Sequence, residues 1–371
     1  MNENAVVVVF LSSFSKNKQT QMISNIKKIL HVQNQKFNQI TKDDDLIIID
    51  ANDPVFASTT VNLLFGVDKV GIAKQVENKF DELVSSIAKI GVNQLLKGDQ
   101  FYIKVEGHSS GYLPKDVEIA ATSALVEKTT EMECKPGTEQ KHDKLIYCFL
   151  TKRKAYVTIF LDKGHGGIPY NSQGERIVCA VHDELSAVSC LEAIKQGFDV
   201  KVVVCYVDDS NLLELVKMIN RIIPRLLRSK IAIDFFMLNV GKKAGVLEQK
   251  IKVMTQIQCA VAKKEKIGRI SLSLSPLLFP LWFIDQNTDF VLQNKLIPWI
   301  TLAGIDDSIM TTAKEIGLGK YLQKIDKLSN QKFARSNFDQ SLAKKALATK
   351  QTVTVSVGPN NVHDILDSLK H

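Results

Sequence analysis

The chain has 371 residues, enough for two or three domains at the usual ~150 residues each. Hydrophobic residues make up 45% and charged residues 24%, which excludes a disordered chain, a collagen and an uninterrupted coiled coil. Lysine and arginine number 48 against 40 aspartates and glutamates, a formal charge of +8. That surplus suits a polyanionic partner through counterion release, and it equally fits an ordinary, mildly basic soluble protein.

The first segment predicts strand Val6–Leu11, helix Lys16–Leu30, strand Leu46–Ile49, helix Pro54–Leu63 and strand Lys69–Ala73. Met22, Ile23, Ile26, Ile29 and Leu30 recur at helical spacing. The opening apolar run follows acidic and amide residues, so it reads as a buried strand and not as a signal peptide. A small ferredoxin-like α+β unit follows from this order. Next come helix Phe80–Leu96, strand Phe101–Val105 and helix Lys115–Thr129. Two paired strands, Lys144–Thr151 and Lys154–Asp162, are joined by the basic turn Lys152-Arg153-Lys154. This is a second α+β module.

After Gly174 the grammar changes to buried strands alternating with helices: strand Arg176–Val181, helix Ser186–Gln196, strand Asp199–Tyr206, helix Leu212–Leu227, strand Ile231–Leu238, helix Leu247–Lys264 and strand Arg269–Ser273. Such alternation predicts a parallel sheet covered on both faces. The longest apolar run, Leu272–Ile284, contains Pro276 and Pro280 and reads as a buried loop or broken element. No run reaches the ~18 apolar residues of a membrane span. A helix Ser308–Ile316, a lysine-rich helical tail Lys320–Lys350 and an edge strand Val353–Val357 complete the chain. Six cysteines lack CxxC spacing and several sit in apolar runs. They read as free buried thiols in a reducing cytoplasm, with no metal site.

The most specific stretch is the loop Lys163-Gly-His-Gly-Gly-Ile-Pro-Tyr-Asn-Ser-Gln-Gly174. It resembles the end of the THUMP domain in the tRNA 4-thiouridine synthetase family, where a Gly-Gly-Leu-Pro turn leads into a PP-loop ATP-pyrophosphatase domain. Gly166, Gly167, Ile168, Pro169 and Gly174 match that pattern, and the module order matches over nearly the whole chain. The resemblance implies a fold of α+β plus α/β class. Its modules are an N-terminal ferredoxin-like domain (1–75), a THUMP RNA-binding domain (76–175) and a doubly wound, parallel PP-loop-type domain (176–371).

The family's catalytic signatures do not survive in this sequence. Its Ser-Gly-Gly-x-Asp-Ser core, whose backbone amides cradle ATP phosphates, falls on Val181-His182-Asp183-Glu184-Leu185-Ser186. Only Ser186 is kept, and Asp183 and Glu184 present carboxylates where phosphates would lie. The second nucleotide turn becomes Leu272-Ser-Leu-Ser275, followed by Pro276, Leu278 and Trp282. Lys252 keeps a basic position on the preceding helix. The family cysteine has no counterpart between Gly317 and Lys332.

These residues predict a tRNA-binding relative of the thiouridine synthetases, acting in tRNA modification or as a non-catalytic paralogue. No catalytic residue, metal or cofactor is assigned. RNA contacts are expected from Lys104, Lys115, Lys152, Arg153, Lys163, Gly164, His165, Gly166, Gly167, Pro169 and Arg176. The alternative is an active tRNA sulfurtransferase or other modifying enzyme using ATP and magnesium by altered chemistry. A third reading is a scaffold whose Leu277–Trp282 segment fills the old pocket or forms a homodimer contact. A cytoplasmic protein without membrane attachment is expected. His182 with Asp183 reads as structural, Asp306 as a helix N-cap. Arg221, Arg225 and Arg228, like Lys320, Lys324, Lys327, Lys332 and Arg335, read as solvated faces.

Overall fold

The computed structural model describes residues 5–239, 246–304, 307–315, 317–319, 333, 340–357 and 362–369. The chain divides into two compact units, 1–166 and 167–371.

In the first unit the apolar run Ala5–Leu11 forms β1, buried at all but its first residue. Helix α1 (Gln19–Val32) buries Met22, Ile26, Ile29 and Leu30 on one face. Strand β2 (Phe37–Asp43) precedes β3 (Leu46–Ala51), α2 (Pro54–Val61) and β4 (Val67–Glu77). Asp53 caps α2 by accepting the amides of Val55 and Phe56, and Pro54 occupies the first turn, where no amide partner is required. The four strands lie in the order β2-β3-β1-β4, antiparallel throughout. That is the ferredoxin-like βαββαβ arrangement. The sequence reading lacked β2, because Phe-Asn-Gln-Ile-Thr-Lys-Asp carries too few apolar residues to show a period of two.

Helix α3 (Phe80–Gln94), β5 (Gln100–Gly107), α4 (Pro114–Lys128), the two-residue β6 (Lys135–Pro136), β7 (Lys144–Leu150) and β8 (Lys154–Gly166) follow. Strand β8 runs the length of β4, so both modules share one eight-stranded sheet, ordered β2-β3-β1-β4-β8-β7-β5-β6. Leu83, Ile87, Phe101, Ile103, Val117, Leu125, Ile146 and Val157 form the core beneath α3 and α4. A second cluster joins the modules: Phe10 meets Tyr147 and Phe149 edge to face, with ring centroids 5.8 and 5.4 Å apart. The Tyr156 hydroxyl donates to Asp43 Oδ2 at 2.6 Å, and Thr151 Oγ1 donates to the same oxygen at 2.9 Å. Strand β8 continues to Gly166, so the first part of the glycine-rich stretch, expected to be loop, is strand.

The second unit is built from β9 (Arg176–Val181), α5 (Glu184–Lys195), β10 (Asp199–Tyr206), α6 (Asp209–Ile222), β11 (Lys230–Met237), α7 (Val246–Lys264), β12 (Arg269–Leu272), α8 (Leu281–Gln293), β13 (Ile297–Ile300), α9 (Asp307–Glu315), α10 (Gln340–Ala348), β14 (Gln351–Ser356) and α11 (Val362–Leu369). Its sheet has the order β13-β12-β9-β10-β11-β14, parallel except for the edge strand β14. The expected doubly wound fold is therefore present. Its topological switch lies between β9 and β12, from which the strand order runs outward in both directions.

Leu272–Ile284 is a broken element: β12 ends at Leu272 and α8 starts directly after Pro280, a start that the run of apolar residues conceals. One local reading needs correction. The three arginines do not share a solvated face. Pro224 tightens the end of α6 into a short turn, Arg225 is buried, Arg221 donates to the Gly317 carbonyl, and Arg228 pairs with Asp199. Asp306, Lys320, Lys324, Lys327, Lys332 and Arg335 lie outside the described residues. Among the described residues no helix is long and apolar enough to cross a membrane.

A charge network crosses the sheet on the α7 side. Lys201 Nζ lies 3.3 Å from Asp234 Oδ2 and 3.1 Å from Glu265 Oε1, and Lys350 Nζ lies 2.9 Å from Asp234 Oδ2. Thr352 Oγ1 donates to Asp234 Oδ1 at 2.7 Å. Burial alone would raise the Asp234 pKa, but hydrogen bonds from Lys350 and Thr352 and the charge of Lys201 outweigh it and hold the pKa down. Removing one partner of a buried pair costs about 3–5 kcal/mol, so Asp234→Ala is expected to lower unfolding stability by that order in urea titrations. A depressed carboxylate stabilises above its unfolded pKa of ~3.9 and loses the contribution as pH falls through the lower folded value. The gap between wild type and variant should hold at neutral pH and close only in acid.

Candidate functional site

The β9–α5 turn occupies the switch point, where open α/β sheets take their ligands. Val181 and Leu185 are core residues. Between them, His182 and Asp183 shape a turn whose polar groups satisfy one another. Ser186 N donates to Asp183 Oδ1 at 2.8 Å, while the amides of His182 and Asp183 donate to Ser186 Oγ at 2.8 and 2.9 Å. This reciprocal capping box consumes three amides at the helix start. Glu184 is buried in the first turn, where a carboxylate is favoured by the helix dipole.

His182 is 6% exposed, and its Nε2 lies 3.2 Å from Asp183 Oδ2. Among the described residues the buried Nδ1 has no hydrogen-bond partner. Desolvation would raise the Asp183 pKa, but the His182 imidazole, the Lys250 charge and the Ser186 amide overcome it and hold the carboxyl below its ordinary range. Lys250 Nζ reaches the His182 carbonyl at 3.4 Å. Lys252, two residues further along α7, lies about 200° around the helix and instead lines the groove between α7 and α8. The lysine at the turn is thus one that sequence alignment passed over.

Among the described residues, one cavity lies beside the turn. The cavity lined by His182, Thr255, Gln258, Ser273 and Leu274 measures about 20 Å³, enough for about one water molecule. Small-molecule sites are usually ~300–1,000 Å³. Beyond Ser275, Phe279 and Phe283 are buried and pack on Phe333, with ring centroids 5.4 and 5.9 Å away. Leu277 and Leu281 of the same segment stay exposed. The amides of His182, Asp183 and Ser186 at this turn already donate to Asp183 and Ser186 oxygens. All six cysteines are buried. Burial pushes the Cys148 and Cys205 thiols up to about 12, which suppresses the thiolate that sulfur chemistry requires. Among the described residues no three His, Cys, Asp or Glu side chains converge as a metal site.

The glycine-rich stretch performs structural work at both of its ends. A Cβ on Gly164 would meet the Val67 carbonyl at 2.3 Å, so β8 can approach β4 closely only with glycine there. His165 sets its ring edge against Phe65, and the Gly166 carbonyl accepts the Gly66 amide. In the second unit Gly167 has φ +75°, and a Cβ on it would lie 2.7 Å from the Lys195 carbonyl. Ile168 N donates to that carbonyl at 3.0 Å, Gln173 N donates to the Gly197 carbonyl at 3.1 Å and Gln173 Nε2 to the Gln196 carbonyl at 2.8 Å. The Pro169 carbonyl accepts from Ser172 N. The loop is the C-terminal cap of α5.

The basic candidates are spread out. Lys152 and Arg153 are exposed at the β7–β8 turn. Lys163, exposed on β8 opposite Lys69, lies about 30 Å further along the strand at ~3.3 Å per residue. Lys115 is exposed but pairs with Glu118 at 2.7 Å. Lys104 is held by Glu139 at 2.9 Å and Glu106 at 3.1 Å, and these hydrogen bonds and charges raise its pKa. Arg176 faces Asp199 at 3.5 Å and Glu265 at 3.3 Å.

No protein-family model matches this sequence, and no curated protein matches it. Solved structures do. The PH1313 protein of Pyrococcus horikoshii superposes with a TM-score of 0.64 at 16% identity, over 84% of this chain and 99% of its own. A 4-thiouridine synthetase crystallised with RNA and bound ATP superposes with a TM-score of 0.66 at 14% identity, over 94% of this chain and 99% of that one. At such identities the likeness concerns the fold: ferredoxin-like, THUMP and doubly wound PP-loop-type modules in the same order.

Replacing the Asp183 cap by alanine is expected to cost about 1 kcal/mol, within the ~0.5–2 kcal/mol range for N-caps. Because its carboxyl is depressed, the loss should be complete above pH ~4 and fade in stronger acid, which chemical denaturation across pH would resolve. For the loop, Gly167→Ala should destabilise more than Gly166→Ala. Both have positive φ, but only Gly167 has the Lys195 carbonyl in the way, while nothing lies within 4 Å of a Cβ on Gly166. A left-handed alanine alone costs about 1–2 kcal/mol. Equal urea midpoints for the two variants would contradict the capping role.

Proposed function

We propose that this protein binds structured RNA, of the tRNA class, as a non-catalytic relative of tRNA-thiolating enzymes, and that its second unit has given up ATP. The observation that carries this reading is the β9–α5 turn. The amides that would cradle a triphosphate are taken by Asp183 Oδ1 and Ser186 Oγ, and the crevice beyond holds about 20 Å³. Even at an effective dielectric near 20, a phosphate charge 4 Å from Asp183 would cost on the order of 4 kcal/mol.

The RNA half of the proposal is supported by the net charge of +8 and by the likeness in fold to a synthetase crystallised with RNA. Exposed Lys152, Arg153 and Lys163 are the contacts with charge to spare. Lys115 contributes less through its pair with Glu118, and Lys104 and Arg176 least, since carboxylates already hold them. Recognition of an A-form stem through its backbone releases about one counterion per phosphate contacted. A role beside the tRNA-modifying machinery follows from that chemistry.

The test has two arms. In gel-shift titrations tRNA affinity should fall steeply between about 50 and 200 mM salt, and Lys152→Glu with Arg153→Glu should weaken it at least ~10-fold. Absence of binding at low salt defeats the RNA reading. In calorimetry ATP with magnesium should give no binding heat, with or without tRNA. A micromolar dissociation constant, or tRNA-dependent release of AMP or pyrophosphate, defeats the ATP half and favours an active modifying enzyme.

A further inference from the structure

Neighbouring helices normally close their groove by interdigitating apolar side chains. Helices α7 and α8 do not. Lys252 and Gln256 on α7 (i, i+4) face a stripe of Gln286, Asp289, Phe290 and Gln293 on α8, and between them a cavity of about 280 Å³ remains. Its back wall is fixed: Thr255 Oγ1 lies 3.1 Å from Asn287 Oδ1, and Asn287 Nδ2 donates to the Phe283 carbonyl at 2.8 Å. Both residues are buried. Thr255 also lines the small cavity at the switch point, so the two spaces adjoin at that residue.

The lining has a chemical signature. Each glutamine amide offers a donor pair and an acceptor in one plane, the complement of a base edge. Phe290 supplies a flat apolar face of the kind on which unstacked bases are held. Asp289 can accept from the exocyclic amino group of a base. Lys252, with the Glu248 carboxylate as a neighbouring charge, places one largely buried cation at the lining. At 280 Å³ the groove sits just below the ~300 Å³ floor for drug-sized ligands, which favours something as compact as one base.

We propose that the α7–α8 groove receives a single unstacked nucleotide of RNA, stacked on Phe290, read by Gln256, Gln286 and Gln293, with its phosphate at Lys252. This rests on the RNA-binding reading. The probes are AMP, GMP, CMP and UMP, titrated into the full-length protein by calorimetry, with tRNA gel shifts run in parallel. Wild type should bind at least one mononucleotide. Loss of one base stack weakens binding by roughly 5- to 150-fold, so Phe290→Ala should fall by that factor with an unchanged thermal melt. Gln256→Leu should alter the preference among the four bases.

Failure of every mononucleotide to bind at about 10 mM overturns the pocket, as does equal binding by wild type and Phe290→Ala. If tRNA still binds in either case, the RNA reading survives and only the groove is lost. Mononucleotide binding that Phe290→Ala abolishes, in a protein that never binds tRNA, overturns the RNA origin of the ligand.

Discussion

A helix sealed from solvent on every side has to find partners for the backbone groups at both ends. Helix α5 is such a helix: every residue from Glu184 to Ile194 is buried. Its first amides and last carbonyls cannot turn to water, and leaving even one buried and unmet costs about 1–3 kcal/mol. The chain answers at one end with Asp183 and Ser186 and at the other with the amides of Ile168 and Gln173. Between the ends, Ser189 Oγ lies 2.6 Å from Thr301 Oγ1 and 3.2 Å from Ser271 Oγ. The helix is thereby tied to the strands beside it.

That constraint links the two motifs singled out from the sequence. A phosphate-binding turn and a self-capped turn solve the same electrostatic problem, the positive end of a buried helix. Here the Asp183 carboxylate and the Ser186 hydroxyl meet those donors within the chain. The glycine-rich loop has a matching double character. Its glycines are required by close backbone approach at Val67 and Lys195, so their presence alone does not argue for contact with RNA. The solvent-exposed side chains of Lys152, Arg153 and Lys163 are the basic candidates that remain.

Charge is divided between interior and surface. Lys201, Asp234, Glu265 and Lys350 form a network that orients β10, β11 and β14 against the end of α7. Such groups contribute nothing to an external field. Lys152, Arg153 and Lys163 instead lie exposed on the surface. In the first unit, the Phe10–Tyr147–Phe149 contacts and the Asp43 hydrogen bonds make one sheet of two modules. Positive groups at the two ends of β8 are therefore held on one rigid strand.

Apolar periodicity determined most elements by itself. The buried strands of the second unit are runs of Val, Ile and Phe between amphipathic helices, and such patterns have few other solutions. The departure from a glycine-rich phosphate turn was equally legible, because His182 and Asp183 stand at the positions that align with its glycines. What the sequence left hidden are features made by distant partners. Strand β2 is held by pairing with β3, not by its own composition. The start of α8 depends on where Pro280 falls in an apolar run. Arg225 is polar in every local window and buried in the fold. Lys250 rather than Lys252 reaches the turn because two residues along a helix face opposite ways, and only the packing of α7 selects which face looks inward. The polar groove between α7 and α8 could not be read from either helix alone, since its lining comes from stripes some thirty residues apart. Local chemistry writes the elements, and long-range packing decides which of their side chains are spent on one another and which are left for a ligand.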